Sequence, residues 1–192
     1  MNKTLLLSAV VTATVTGAAF AASVPVTDIN AGQSKVAVEY SFAQHAEGNG
    51  GSNDGFGASL ATGLSDKLAL QYEYSRVNLD KGGDVKDHRL EAVYKVSKNV
   101  NLYGAGTYLR ADGEHETGFQ GGVIGHVPLA DNLKGFAKVG FGNDIKQTYQ
   151  IGATYDLTND LGLNVYYQYD KYSVDGNDSD IKGLHAGLGY SF

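Results

Sequence analysis

GLHAGLGYSF, residues 183–192, carries the clearest strand pattern of the chain. Large or apolar side chains occupy every second position from Leu184 to Phe192, and glycine, histidine and serine occupy the positions between them. Spacing of period two places the two sets on opposite faces of one β-strand. Because the end of a chain is usually polar and frayed, an aromatic residue in strand phase at position 192 suggests a special role for this strand.

The same alternation recurs in segments of about ten residues that are separated by turn residues. It is clean in KVAVEYSFAQ (35–44), FGASLATGL (56–64), LALQYEYSR (68–76), HRLEAVYKV (88–96), YQIGATYDL (149–157) and LGLNVYYQYD (161–170). VNLYGAGTYL (100–109) and GFQGGVIGHV (118–127) fit either phase, and LKGFAKVGF (133–141) requires Lys134 and Lys138 to face inward. With residues 183–192, ten strands are predicted, and eight are the alternative.

Composition restricts how these strands can be stabilised. The chain has 192 residues with 26 Gly, 13 Tyr, 2 Pro, no Trp and no Cys, so a core or a membrane must replace disulfides. Its formal net charge of −6 argues against nucleic acid as a partner. No long apolar run follows residue 21, which excludes a spanning helix, whereas the lipid-facing signal of a β-barrel is spread over alternate residues.

Loop lengths and aromatic positions both favour a membrane barrel. Short connections at 65–67, 97–99, 128–132 and 158–160 are interleaved with mostly longer polar ones at 45–54, 78–86, 110–117 and 173–180. The aromatic residues on the apolar face of the strands form two groups. Near the long loops lie Phe42, Tyr72, Tyr74, Tyr108, Phe119, Phe141, Tyr149, Tyr167 and Tyr169. Near the short turns lie Tyr94, Tyr155, Tyr190 and Phe192. A soluble sandwich would concentrate them in mid-strand, whereas membrane barrels carry two aromatic girdles. We therefore predict an all-β, antiparallel, up-and-down transmembrane β-barrel.

The first 21 residues have the layout of a secretory signal peptide. A basic start with Lys3 precedes an apolar, small-residue stretch, and Ala19 and Ala21 form an A-x-A cleavage site. We expect cleavage after Ala21, an N-terminal periplasmic segment at 22–33 and a barrel domain at 34–192. A buried helix or a membrane anchor is the alternative, but the apolar part is short for a spanning helix.

The alternating strands, the signal peptide and the GLGYSF ending resemble the small outer-membrane β-barrel proteins of Gram-negative-type bacteria, the OmpA/OmpX-like superfamily. The resemblance implies a location in the cell outer membrane, with its lipids and lipopolysaccharide as partners. It also implies that Tyr190 and Phe192 carry the signal read by the barrel-assembly machinery, and that periplasmic chaperones take part in biogenesis. It implies no cofactor, and relatives in that family commonly have eight strands.

The inward phase predicts a charged lumen that also contains Gln168: Glu39, Glu73, Arg89, Glu91, Lys95, Lys134, Lys138, Asp156, Asp170 and His185. Charges of both signs in a confined space must pair or stay hydrated. A hairpin centred on residue 82 would set Glu73 opposite Glu91 with Arg89 diagonal to both. A hairpin centred on residue 145 would set Lys134 opposite Asp156. The lumen is then either an ion-paired plug or, given its many small inward residues, a small-solute path.

For function, we predict a structural or surface-interaction role through the extracellular loops, in envelope integrity or adhesion. A narrow porin-like channel is the alternative. An enzyme acting on lipid A or peptides is a distant third, because His45, His88 and His115 occur near carboxylates but in no catalytic spacing. The acidic stretch 175–180 lacks the glycine and distal glutamate of a calcium loop, so no metal site is predicted.

Overall fold

A computed structural model describes residues 24–46, 53–78, 83–111, 114–174 and 177–192. The predicted signal peptide, with Ala19 and Ala21, lies outside the described residues. The ten strands are β1 (Ser34–Ala46), β2 (Asn53–Gly63), β3 (Leu68–Asn78), β4 (Asp84–Lys95), β5 (Val100–Ala111), β6 (Glu114–Ala130), β7 (Leu133–Gly142), β8 (Ile145–Asp156), β9 (Leu161–Val174) and β10 (Asn177–Ser191). Within the described ranges, no helix is long and apolar enough to cross a membrane.

The strands form a closed antiparallel barrel in which each strand pairs with its neighbours in sequence. β10 pairs with β1 along most of its length and closes the sheet. Beyond the last residue of β10, the Phe192 amide donates to the Ser34 carbonyl at 2.8 Å, and the Ser34 amide donates to the Phe192 carbonyl at 2.9 Å. The prediction of ten strands is therefore confirmed, and the alternative of eight is wrong.

Side chains alternate between the barrel exterior and the lumen, which resolves the ambiguous segments. On β5, Leu102 is 47% exposed and Tyr103 only 5% exposed, so the even-numbered residues face outward. On β6, Phe119 and Val123 face outward while Ile124 is buried. The sequence could not decide these phases because both faces of the two segments carry apolar residues.

Connections on the predicted long-loop side are shorter than expected. β5 ends at Ala111 and β6 begins at Glu114, while β9 ends at Val174 and β10 begins at Asn177. Much of the polar stretches 110–117 and 173–180 therefore continues the sheet. Backbone pairing does not require apolar side chains, and strand ends that face water can be polar on both faces.

Two predicted pairings are wrong by two residues. Glu73 lies opposite Arg89 rather than Glu91, and Lys134 lies opposite Thr154 rather than Asp156. Each hairpin is centred one residue earlier than predicted, which shifts every pair by two positions. Such a shift keeps each side chain on its own face, so the alternation pattern cannot distinguish the two registers.

Candidate functional site

The middle of the lumen is organised around Lys138 of β7, whose side chain is fully buried. Its ammonium Nζ lies 2.5 Å from Glu91 Oε1 and 3.8 Å from Glu73 Oε1, and 4.5 Å from the centroid of the Tyr103 ring. The Tyr103 hydroxyl donates to Gln120 Oε1 at 3.0 Å. One buried cation therefore compensates two buried carboxylates, and an aromatic ring covers it on one side.

Arg89 forms a second group nearer the long loops. Its Nη2 lies 2.6 Å from Asp87 Oδ2 and 3.2 Å from Asp170 Oδ2. Asp170 also accepts hydrogen bonds from Thr148 at 2.5 Å and from Gln168. Although the sequence placed Arg89 diagonal to Glu73 and Glu91, Glu91 pairs with Lys138 from across the lumen.

Asp87 belongs to this buried group but was missing from the predicted lumen network. The signal that could have located it is its phase, since Asp87 shares the odd-numbered positions of β4 with Arg89 and Glu91. The inward face of β4 therefore extends further toward the long loops than the apolar alternation indicated.

Glu39, Tyr166 and His185 form a third group, where β1 meets β10 and β9. The Tyr166 hydroxyl donates to Glu39, and His185 Nδ1 lies 3.2 Å from Glu39 Oε1. The rings of Tyr166 and His185 stack with centroids 4.6 Å apart and an interplanar angle of 12°. This contact fixes the orientation of both polar side chains against the seam of the barrel.

Seven of the ten predicted lumen residues are buried inside the barrel: Glu39, Glu73, Arg89, Glu91, Lys138, Asp170 and His185. The other three lie at the short-turn end. Lys134 pairs with Asp28, Asp156 is exposed and Lys95 is partly exposed. The network is therefore confined to the middle and the long-loop half of the barrel.

The N-terminal segment, predicted to be periplasmic, enters the short-turn mouth of the barrel with its residues 24–30. Gln71 donates to the Val24 carbonyl at 2.9 Å, and Asn101 donates to the carbonyls of Val26 and Thr27 at 2.9 and 3.1 Å. Ile29 is 2% exposed. No sequence pattern predicted this insertion, because the segment is too short to show a period.

Asp28 anchors the same segment through its pair with Lys134. Burial acts to raise the pKa of Asp28, but the hydrogen bond and the charge of Lys134 outweigh it, so the pKa lies below its usual value. The docked segment therefore favours the ionised carboxylate.

Apolar clusters lie inside the barrel on both sides of the charged groups. Toward the long loops, the cluster comprises Ala46, Val77, Leu109, Ile145, Tyr172 and Ile181. Toward the short turns, two clusters include side chains of the N-terminal segment: Ile29 with Ala69, Val93, Tyr103, Ala105 and Ile124, and Val24 with Ala37, Phe136 and Tyr166. The charged middle is therefore separated from both rims by apolar side chains.

Among the described residues, two of the cavities inside this arrangement share no lining residue. A cavity of about 600 Å³ lies at the short-turn mouth, between the N-terminal segment and wall residues that include Lys35 and Gln71. A cavity of about 20 Å³ lies in the long-loop half beside Gln44 and His185. The smaller one has room for about one water molecule.

The histidines considered for catalysis take other positions. His88 and His115 face outward, where the Tyr72 hydroxyl lies 2.7 Å from His88 Nδ1 and the Tyr108 ring lies 6.1 Å from the His115 ring. His45 is exposed near the long-loop end of β1. In the described ranges, no group of three or more His, Cys, Asp or Glu side chains could hold a metal ion.

Comparison with solved structures gives small outer-membrane β-barrels as neighbours, and the likeness concerns the fold alone. The chain is 16% identical to Neisserial surface protein A, covering 84% of this chain and 98% of that chain with a TM-score of 0.45. It is 16% identical to Ail, the attachment invasion locus protein of Yersinia pestis, covering 84% and 99% with a TM-score of 0.41. It is 12% identical to the KdgM porin, covering 81% and 99% with a TM-score of 0.43. Neither a protein-family model nor a curated protein sequence matches the chain.

Proposed function

We propose that the protein is an integral outer-membrane β-barrel with a sealed lumen, and that it acts as a structural or surface-contacting component of the envelope. The observation that carries the proposal is the inversion of the usual polarity of a protein. Buried charges fill the lumen, while large apolar side chains such as Leu90 and Ile151 are 52% and 65% exposed on the outside. Lipid is the solvent that makes this arrangement stable.

The outer surface supports a membrane location in more detail. From Val100 to Tyr108, the outward positions of β5 carry no charged residue, a length close to that of a spanning strand. At the long-loop end, the Tyr149 ring lies 6.3 Å from Phe141 and 6.0 Å from Tyr169. Aromatic rings at this level suit the boundary between lipid headgroups and acyl chains. An apolar surface of this extent is rare on a soluble monomer.

The sealed lumen favours the surface role over a channel. A solute would have to pass the apolar cluster beneath the long loops, the ion-paired middle and the inserted N-terminal segment. Hydrophobic constrictions stop ions by excluding water. A narrow channel remains the second candidate, and the 600 Å³ cavity at the short-turn mouth is the observation that favours it.

Planar-bilayer recording on refolded protein tests the choice. We expect no stepwise conductance from the wild type, nor from a variant that lacks residues 24–30, because the cluster around Leu109 and Ile145 still closes the other end. Heat-dependent migration of the same sample on a gel verifies that the barrel is folded. A steady current from the folded wild-type barrel would refute the sealed lumen and support the channel.

We also propose that the aromatic pair at the end of the last strand, Tyr190 and Phe192, serves as the assembly signal. The Tyr190 and Phe192 rings are exposed on the outside of the barrel with centroids 6.3 Å apart. Because the Phe192 backbone also closes the barrel, the test uses Phe192→Ala rather than a deletion. We expect a lower outer-membrane level with unchanged refolding in detergent, and Tyr155→Ala at the same rim as the control. Equal membrane levels for Phe192→Ala and the wild type would contradict the proposal.

A further inference from the structure

Four outward-facing basic side chains form a row across β3–β6 at the long-loop rim. Arg76 pairs in register with Lys86, Lys86 with Arg110, and Arg110 with His115. Neighbouring strands lie about 4.8 Å apart, so this basic row extends over about 14 Å of the barrel surface. Paired residues of antiparallel strands share a face, and the four side chains therefore project side by side.

Neighbouring carboxylates neutralise the basic row only in part. Asp84 Oδ2 lies 2.9 Å from Arg76 Nε and 3.0 Å from Lys86 Nζ. Within the described part of the chain, no carboxylate forms an ion pair with Arg110. Like charges directly opposite each other destabilise a sheet, and yet this chain, with a net charge of −6, places them together. An external anion would relieve that repulsion.

Three further basic residues in the described part of this rim have carboxylate partners of their own. Lys146 and Lys171 lie 2.5 and 3.0 Å from the two carboxylate oxygens of Asp178, and Lys182 lies 3.0 Å from Asp180. Among the described outward-facing residues, one paired carboxylate therefore accompanies three cations on β3–β5, whereas two paired carboxylates accompany three lysines on β8–β10.

Directly below the basic row lies a row of rings. Tyr74, His88 and Tyr108 are in register on β3–β5, with centroids 4.9 Å apart for Tyr74 and His88 and 5.9 Å apart for His88 and Tyr108. The next outward level contains Leu90 on β4 and Phe119 on β6, both exposed. From the rim toward mid-barrel, the surface therefore changes from cationic to aromatic to apolar.

We propose that this surface binds a phosphate-bearing lipid of the outer leaflet, with the phosphate at Lys86 and Arg110 and the acyl chains along Leu90 and Phe119. Charge complementarity selects the anion, and the rings and apolar residues beneath the row select a lipid over a soluble polyanion. The inference rests on the proposed membrane location and names the partner of one face of the barrel.

The test compares two double variants after refolding into phosphatidylcholine vesicles. Lys86→Gln with Arg110→Gln removes two cations of the basic row, and Lys171→Gln with Lys182→Gln removes two at the same rim on β9 and β10. Inserted protein is extracted into neutral detergent, and native mass spectrometry measures binding of diphosphorylated lipid A and of the same lipid without phosphates. Inositol hexakisphosphate serves as the soluble competitor.

We expect the first double variant to bind the phosphorylated lipid about 30-fold more weakly than the wild type, or about 2 kcal/mol at 1.4 kcal/mol per tenfold. Binding of the dephosphorylated lipid should not change, and the second double variant should stay within about threefold of the wild type. If both double variants lost lipid binding equally, or if Lys86→Gln with Arg110→Gln lost none, the proposed site would be overturned. Displacement of the lipid by inositol hexakisphosphate would show a soluble-polyanion surface instead. Failure of the wild type to insert would overturn the membrane location and the lipid site with it.

Discussion

Replacing Lys138 with methionine should destabilise the barrel strongly. The substitution keeps most of the side-chain length but removes the ammonium that lies 2.5 Å from Glu91 and 3.8 Å from Glu73. Both carboxylates are at most 2% exposed, so neither can be hydrated without opening the barrel. Removing one partner of a buried ion pair costs about 3–5 kcal/mol because it leaves an uncompensated buried charge.

Urea titration of refolded protein in lipid vesicles, followed by tyrosine fluorescence and gel mobility, measures this loss. Lys134→Met is the matched control, because its pair with Asp28 is partly exposed and should be worth no more than about 1 kcal/mol. Adding Glu73→Gln and Glu91→Gln to Lys138→Met should restore most of the stability. A loss below about 1 kcal/mol for Lys138→Met would mean that water already screens the carboxylates, and it would refute the sealed lumen.

Three further changes probe other parts of the barrel. Gly140→Ala should lower the free energy of unfolding by about 1–3 kcal/mol in the same titration, because a Cβ there meets the Tyr103 hydroxyl. Gly106→Ala on the open outer face should be nearly neutral. Equal effects of the two substitutions would contradict the close packing of Gly140 against Tyr103. Ile151→Arg should cost about 2–4 kcal/mol in vesicles, since it places a charge on the lipid face near mid-membrane, and a neutral result would show that the position is hydrated. The pKa of Asp28 is lowered in the folded protein, so its ion pair stabilises the docked N-terminal segment above the ordinary pKa of 3.8, and this stabilisation is lost as the pH falls through the folded pKa. Proteolysis of the N-terminal segment should therefore increase only in that acid range. Asp28→Asn should cause the same increase at neutral pH.

The amino-acid sequence by itself determined the number of strands and the facing of most of them. An apolar outer face and a polar lumen require side chains of different character at alternate residues, and that rule acts within each strand. The inward position of Lys138 followed from this rule even though β7 is rich in glycine. The same rule was ambiguous for Tyr103, because both faces of its strand carry apolar residues.

Only the tertiary structure decided which charges meet. A register shift of two residues leaves every facing unchanged, so alternation could not show that Glu73 lies opposite Arg89. Contacts across the lumen depend on barrel closure: Lys138 on β7 reaches Glu91 on β4, three strands away around the wall. The insertion of residues 24–30 also depends on barrel closure. The Gln71 and Asn101 amides that bind this segment come together only once the ten strands have closed around it.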